Sequence, residues 1–205
     1  LREGSWNIRI LSRIDAIIAG LYAADRMYVR DYITNLSFRT LPTNRNLVTA
    51  DFEPGRMHRA TCSGGQRLRI EANTVLNRVH IVTNCAVRFE DGVRLEDVVI
   101  ATSNTGTRSF DANQNIFIGR DDDCAPGGGA QLVTAGSAVF TSSLHMFGGQ
   151  ILAKQNITFT ANANGIQGAA MVAGGTISGT SNMSMGFCGS GMEHNFHAAY
   201  FKLVE

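Results

Sequence analysis

From Leu132 onward the chain repeats itself: Leu132–Thr141 is followed by Ile151–Thr160 and Met171–Thr180, at offsets of 19 and then 20 residues. A short fixed period of β-branched and aromatic runs, separated by Gly, Asn and Ser, marks a solenoid in which each repeat makes one coil. Like residues then stack along one axis: Phe140 over Phe159, Ile157 over Ile177, Ile151 over Met171. Thr141, Thr160 and Thr180 are expected to form a ladder of their own. Met146–Gln150 sits 20 residues before Ile166–Ala170, so each coil holds at least two short strands with a bend between them.

The same spacing reaches backwards. Ile81–Phe89 places apolar residues at both ends of a nine-residue unit, as Leu132–Phe140 does. Leu68–Ile70, Val79–Val82, Ala86–Phe89, Val93–Leu95 and Val98–Ile100 are runs too short for a sandwich and right for a β-helix. Twenty-two Gly against three Pro suit many tight coils, because Gly enters left-handed turns without steric cost. The predicted fold is mainly β: a right-handed parallel β-helix of about six or seven coils over residues 61–205, behind an N-terminal α-helical region. Apolar Ala198–Val204 is expected to close the stack as a terminal strand.

Residues 1–60 read as an amphipathic helix and a linker. Ile10, Ile14, Ile17, Leu21, Ala24 and Tyr28 follow a three-to-four spacing, which predicts a helix from Trp6 to about Phe38. Its apolar side must pack on something: the open end of the coil stack, as a cap, or a partner or upstream helix. Arg9, Arg13 and Asp15 interrupt Ile8–Ala24 too soon for a membrane span. Pro42 and Pro54 sit in turn-rich stretches that predict an irregular linker over 39–60.

Eighteen basic and 17 acidic residues leave the formal charge at +1, so bulk charge points to neither nucleic acid nor an anionic membrane surface. Cys62, Cys85, Cys124 and Cys188 show no CxxC pair and are too far apart for a zinc ribbon. Four cysteines beside an Asn-rich repeat favour two disulfides and an oxidising compartment. Cys62 and Cys85 lie 23 residues apart, about one coil, which leaves Cys124 with Cys188.

Asp121, Asp122 and Asp123 form the densest acidic cluster and are the candidate acids or calcium ligands. Adjacent strand residues point to opposite faces, so the three converge only in a loop, and Ala125–Gly129 marks one. The dull reading is a solvated turn held by Cys124. His58, His80 and His145 fall into no pattern; His194 and His197, with Glu193, are a minor metal candidate. Gly127–Gly129 lacks the lysine of a phosphate cradle, and no nucleophile elbow or dinucleotide fingerprint occurs. Phe140, Phe147 and Phe159 recur at the coil period and read as core. No catalytic residue and no cofactor are assigned.

Arg69–Asn73, Gly92–Thr102, Ile118–Gly129, Asn164–Gly168 and Phe187–Met192 before Tyr200–Val204 together resemble the C-terminal region of bacterial TadE/TadG-like proteins of the Flp (Tad) type IV pilus assembly system. The resemblance covers roughly residues 60–205. It implies an N-terminal hydrophobic anchor upstream of Leu1, with the rest exposed outside the cytoplasm, in the periplasm or at the cell surface, and it carries over no catalytic residue. The expected role is a non-catalytic pilus-associated subunit, a minor pilin or assembly factor with an adhesive face. Its partners are then other pilus or envelope proteins and surface glycans, with no nucleic acid, and a membrane only through the upstream segment. The rivals are a carbohydrate-binding or carbohydrate-cleaving β-helix acting through Asp121, Asp122 and Asp123, and a trimeric adhesin or phage-like shaft.

Overall fold

A computed structural model describes residues 3–122, 125–161 and 166–181. Among the described residues one α-helix, α1 (Glu3–Tyr22), precedes fifteen strands, with a single 3-10 turn at Thr49–Asp51. In chain order these are β1 (Asn35–Thr40), β2 (Arg56–Ala60), β3 (Arg67–Ile70), β4 (Val75–Thr83), β5 (Ala86–Phe89), β6 (Val93–Thr102), β7 (Phe110–Ala112) and β8 (Ile116–Ile118). They continue as β9 (Ala130–Thr134), β10 (Ala138–Phe147), β11 (Gln150–Ala153), β12 (Ile157–Ala161), β13 (Ile166–Gln167), β14 (Ala170–Ala173) and β15 (Ile177–Ser181). Every pairing between these strands is parallel, and they stack as a β-solenoid of about seven turns.

The strands fall into three rows along the axis. Row I runs through β3, β5, β7, the start of β10, β12 and β15. Row II holds the starts of β4 and β6, then β8, the end of β10 and β13. Row III holds β1, β2, the ends of β4 and β6, then β9, β11 and β14. Rows II and III meet at a bend that needs a left-handed residue. Arg78 (φ 54°) and Asp97 (φ 50°) take it in β4 and β6, where later turns use Gly128, Gly148 and Gly168.

The register carries the expected stacks. Phe140 pairs with Phe159, Ile157 with Ile177, and Ile151 with both Leu132 and Met171. Inward positions of row I alternate bulk: Phe110 faces Val87 and Ala138, while Ala112 lies between Phe89 and Phe140. A large ring over a small side chain fills each layer without strain. Gly179 completes the pattern, since a Cβ there would meet the Phe159 ring at 2.4 Å.

Thr141 does not join the predicted threonine ladder. The register slips after Phe140, Ser143 opposes Thr160, and only Thr160 and Thr180 bond, at 3.5 Å on the surface. The continuous ladder is buried instead: Thr83, Thr102 and Thr134 stack in row III. Each hydroxyl accepts the N–H two residues on, from Cys85, Asn104 and Gly136, which turns the chain into the next coil.

The N-terminal third departs from expectation. α1 stops at Tyr22, not near Phe38, because Ala24 takes a left-handed φ of 53° and Tyr28 folds back over Gly20. A Cβ on Gly20 would lie 2.1 Å from that ring. Nor does the helix cover an end of the stack. Ile14, Ile18 and Leu21, with Val29 and Ile33 of the following turn, bury the outer side of row III at Met57, Val82, Val99, Ala101, Val133 and Leu152. Row III is therefore apolar on both sides, as parallel strands covered twice must be.

The stretch expected to be an irregular linker already belongs to the solenoid. Arg39 pairs with His58 at the coil spacing, and Leu47 bridges to Ile70. Leu41, Leu47 and Phe52 are buried on the main core next to Leu68 and Ile70, so they cover its N-terminal end. The predicted terminal strand Ala198–Val204 lies outside the described residues.

Candidate functional site

The aspartate loop is an insertion between row II and row III, from Gly119 to Gly129, where other coils turn within a residue or two. It is laced to the coil below. Gly119 N–H donates to Leu95 O, Gly128 N–H donates to Asp97 Oδ1 at 2.8 Å, and Arg120 N–H donates to Gly128 O. Asp122 accepts from Arg120 Nε at 2.5 Å through one oxygen and from Ala125 N–H at 3.1 Å through the other. Both oxygens thus hold the loop's own turn, an arrangement that favours the solvated-turn reading. Asp123 and Cys124 lie outside the described residues. Among the described residues, no group of three His, Cys, Asp or Glu is placed to hold a metal ion.

Cys62 and Cys85 form the expected disulfide between neighbouring coils, with Cα atoms 5.2 Å apart. Cys188, like Cys124, lies outside the described residues, as do Glu193, His194 and His197. His58 and His80 are fully buried. His58 donates from Nδ1 to Arg56 O and accepts Glu53 N–H at Nε2, and burial lowers its pKa to about 4. His80 lies edge-on to Tyr32 at 5.5 Å, and burial, with Arg30 adding to it, lowers its pKa to about 3. Neither ring nitrogen of His80 has a partner among the described residues. His80 is sealed beneath the turn after α1 as a packing group, whereas His58 stands in the inward column with Ile81 and Ile100, beside Phe52 and held by its two bonds.

Two surface constellations escaped the sequence. On the outside of row II, Arg94, Phe117 and His145 occupy one register column. The Arg94 guanidinium lies 4.0 Å from the Phe117 ring centroid, and the His145 ring stacks on Phe117 at 4.6 Å and 10°. Burial and the nearby Arg94 cation lower the His145 pKa. Both faces of Phe117 are occupied, so it offers a saccharide or base no free face to stack on. The signal was there: Phe117 between inward Ile116 and Ile118 has outward parity.

On the outside of row I, Asp111 is nearly sealed, its side chain 2% exposed. Three guanidiniums bond it: Arg88 at 2.7 Å, Arg108 at 2.8 Å and Arg67 at 3.3 Å. Arg67 is placed to do so because its register partner is small Ala86. A buried carboxylate with several charge-assisted bonds is tolerated where an unpaired one is not. Arg88 also meets Glu90 at 3.5 Å.

The surface also carries two shallow grooves. One, about 400 Å³, lies between α1 and the turn after it, bounded by Arg13, Arg26, Met27, Arg30 and Asp31. The other, about 280 Å³, lies beside the Asp111 cluster, between the 43–46 and 65–69 segments. No helix among the described residues is long and apolar enough to cross a membrane.

A family model described as a domain of unknown function, DUF7867, matches residues 1–189. Comparison with curated proteins and with solved structures gave no match.

Proposed function

The chain belongs to the DUF7867 family, and from its geometry we propose that it is a non-catalytic structural subunit of an extracytoplasmic assembly. The observation that carries this reading is the register of row III. Met57, His80, Val99, Gln131, Gln150 and Ala170 follow one another strand by strand, and α1 clads this side of the stack. Such a stack bends little, because each coil is bonded to both neighbours, and a stiff body suits a spacer or docking element. The Cys62–Cys85 bond supports an oxidising compartment. The more specific role, minor pilin or pilus assembly factor, takes its support from the motif resemblance.

The test is mass analysis of the native protein extracted under alkylating conditions, with and without reductant. The reading expects Cys62 and Cys85 to take up alkylating agent only after reduction. Uptake at both before reduction would remove the extracytoplasmic placement. Cross-linking in intact cells followed by identification of neighbours then separates a pilus assembly from another envelope structure.

A further inference from the structure

The groove beside the Asp111 cluster is bounded by Thr43, Asn44, Gln66, Arg67 and Arg69, among others. Arg69 is exposed, and its guanidinium has no hydrogen-bond or ion-pair partner among the described residues. It is also in register with Arg88 of the next strand. Side chains so paired stand about 4.8 Å apart, and like charges in that position repel. Asp111 bonds Arg88, Arg67 and Arg108, but not Arg69, which shares strand β3 with Arg67. Four guanidiniums thus stand by three carboxylates, Asp111, Glu90 and Glu71, and the one without a partner, Arg69, lies on the groove side.

Neither neighbouring acid pairs with Arg69: Glu71 keeps its charge but is bonded to Asn46 Nδ2 at 2.7 Å and to Ala72 N–H, and Asp51 pairs with Arg45. Beside the arginines, Thr43, Asn44 and Gln66 bring hydroxyl and amide groups that both donate and accept. Planar guanidiniums suit a carboxylate or sulfate, and the amides suit neighbouring hydroxyls. No aromatic ring lines the groove, so it has no platform for a nucleobase. We propose that this groove binds an acidic saccharide, with Arg69 and Arg67 on its anionic group and Thr43, Asn44 and Gln66 on its hydroxyls.

The inference stands apart from the assembly role, whose test reads thiols and neighbours. Calorimetric titration of the whole chain with a size-fractionated oligogalacturonate, against the same oligomer methyl-esterified, reads the site. The acidic form is expected to bind, and the ester at least about tenfold more weakly. Arg69→Gln is expected to lose about tenfold in affinity with an unchanged unfolding midpoint, and Arg69→Lys to regain part of it. Arg13→Gln, in the other groove, is expected to bind as the parent does. Absence of binding, equal binding of the ester, parental affinity in Arg69→Gln or equal loss in Arg13→Gln would overturn the proposal. So would displacement by inorganic sulfate at the same affinity, which marks a bare anion site, or tighter binding of an oligonucleotide.

Discussion

Burial decides what the histidines do. In the unfolded chain an imidazole takes up its proton near pH 6.5, whereas His58 and His80 stay neutral in the fold down to about pH 4 and 3. Below pH 6.5 the unfolded state therefore binds more protons, and stability falls as pH falls. Each histidine should remove about 2 kcal/mol by pH 5 relative to pH 8. Denaturant titrations across that range check this, and His80→Met should flatten the slope. The carboxylates held low by arginine, Asp51 and Glu53, act in a more acidic window that meets the histidines' only below about pH 5, so the slope between pH 8 and 5 reports the histidines. Glycines separate in the same way. A Cβ at Gly148 meets nothing, so Gly148→Ala should cost about 1 kcal/mol for its left-handed φ alone. At Gly119 a Cβ would lie 1.7 Å from the Phe147 carbonyl oxygen, so Gly119→Ala must move backbone and cost several times more, as unfolding midpoints will show.

At the scale of elements, the repeat made the C-terminal coils legible and left the N-terminal ones obscure. Leu132, Ile151 and Met171 recur at one spacing, so their register could be read directly. Arg39 and His58 keep the same spacing, but polar outward residues and prolines hide it. The helix was legible in its apolar stripe but not in its end, because Ala24 carries no sign of its left-handed turn. Its position was half legible. The double-sided runs Val79–Val82 and Val98–Ala101 needed a cover on their outer side, and α1 supplies it. Ile14 is 1% exposed in that contact. Ile14→Asp should free α1 from row III, costing about 3 kcal/mol and raising dye binding to exposed apolar surface while the β circular dichroism persists. Loss of the β signal together with the helix would contradict a separately attached α1.

For the whole molecule, surface chemistry was the least legible layer. Asp111 gathers arginines from three coils, and sequence distance hides that cluster until the register is known. The aspartate loop was legible as a loop, while the commitment of Asp122 to Arg120 and the Ala125 N–H needed coordinates. The central claim is the parallel, in-register stack, and cross-linking across one rung tests it most directly. Thr158 and Ser178 face each other on neighbouring coils, with hydroxyls 3.4 Å apart. In a Cys124→Ser, Cys188→Ser background, Thr158→Cys with Ser178→Cys should oxidise to a disulfide in the folded protein. Thr158→Cys with Thr180→Cys, two residues out of register, should not. Equal bonding in both pairs, or bonding only in the second, would contradict the solenoid register.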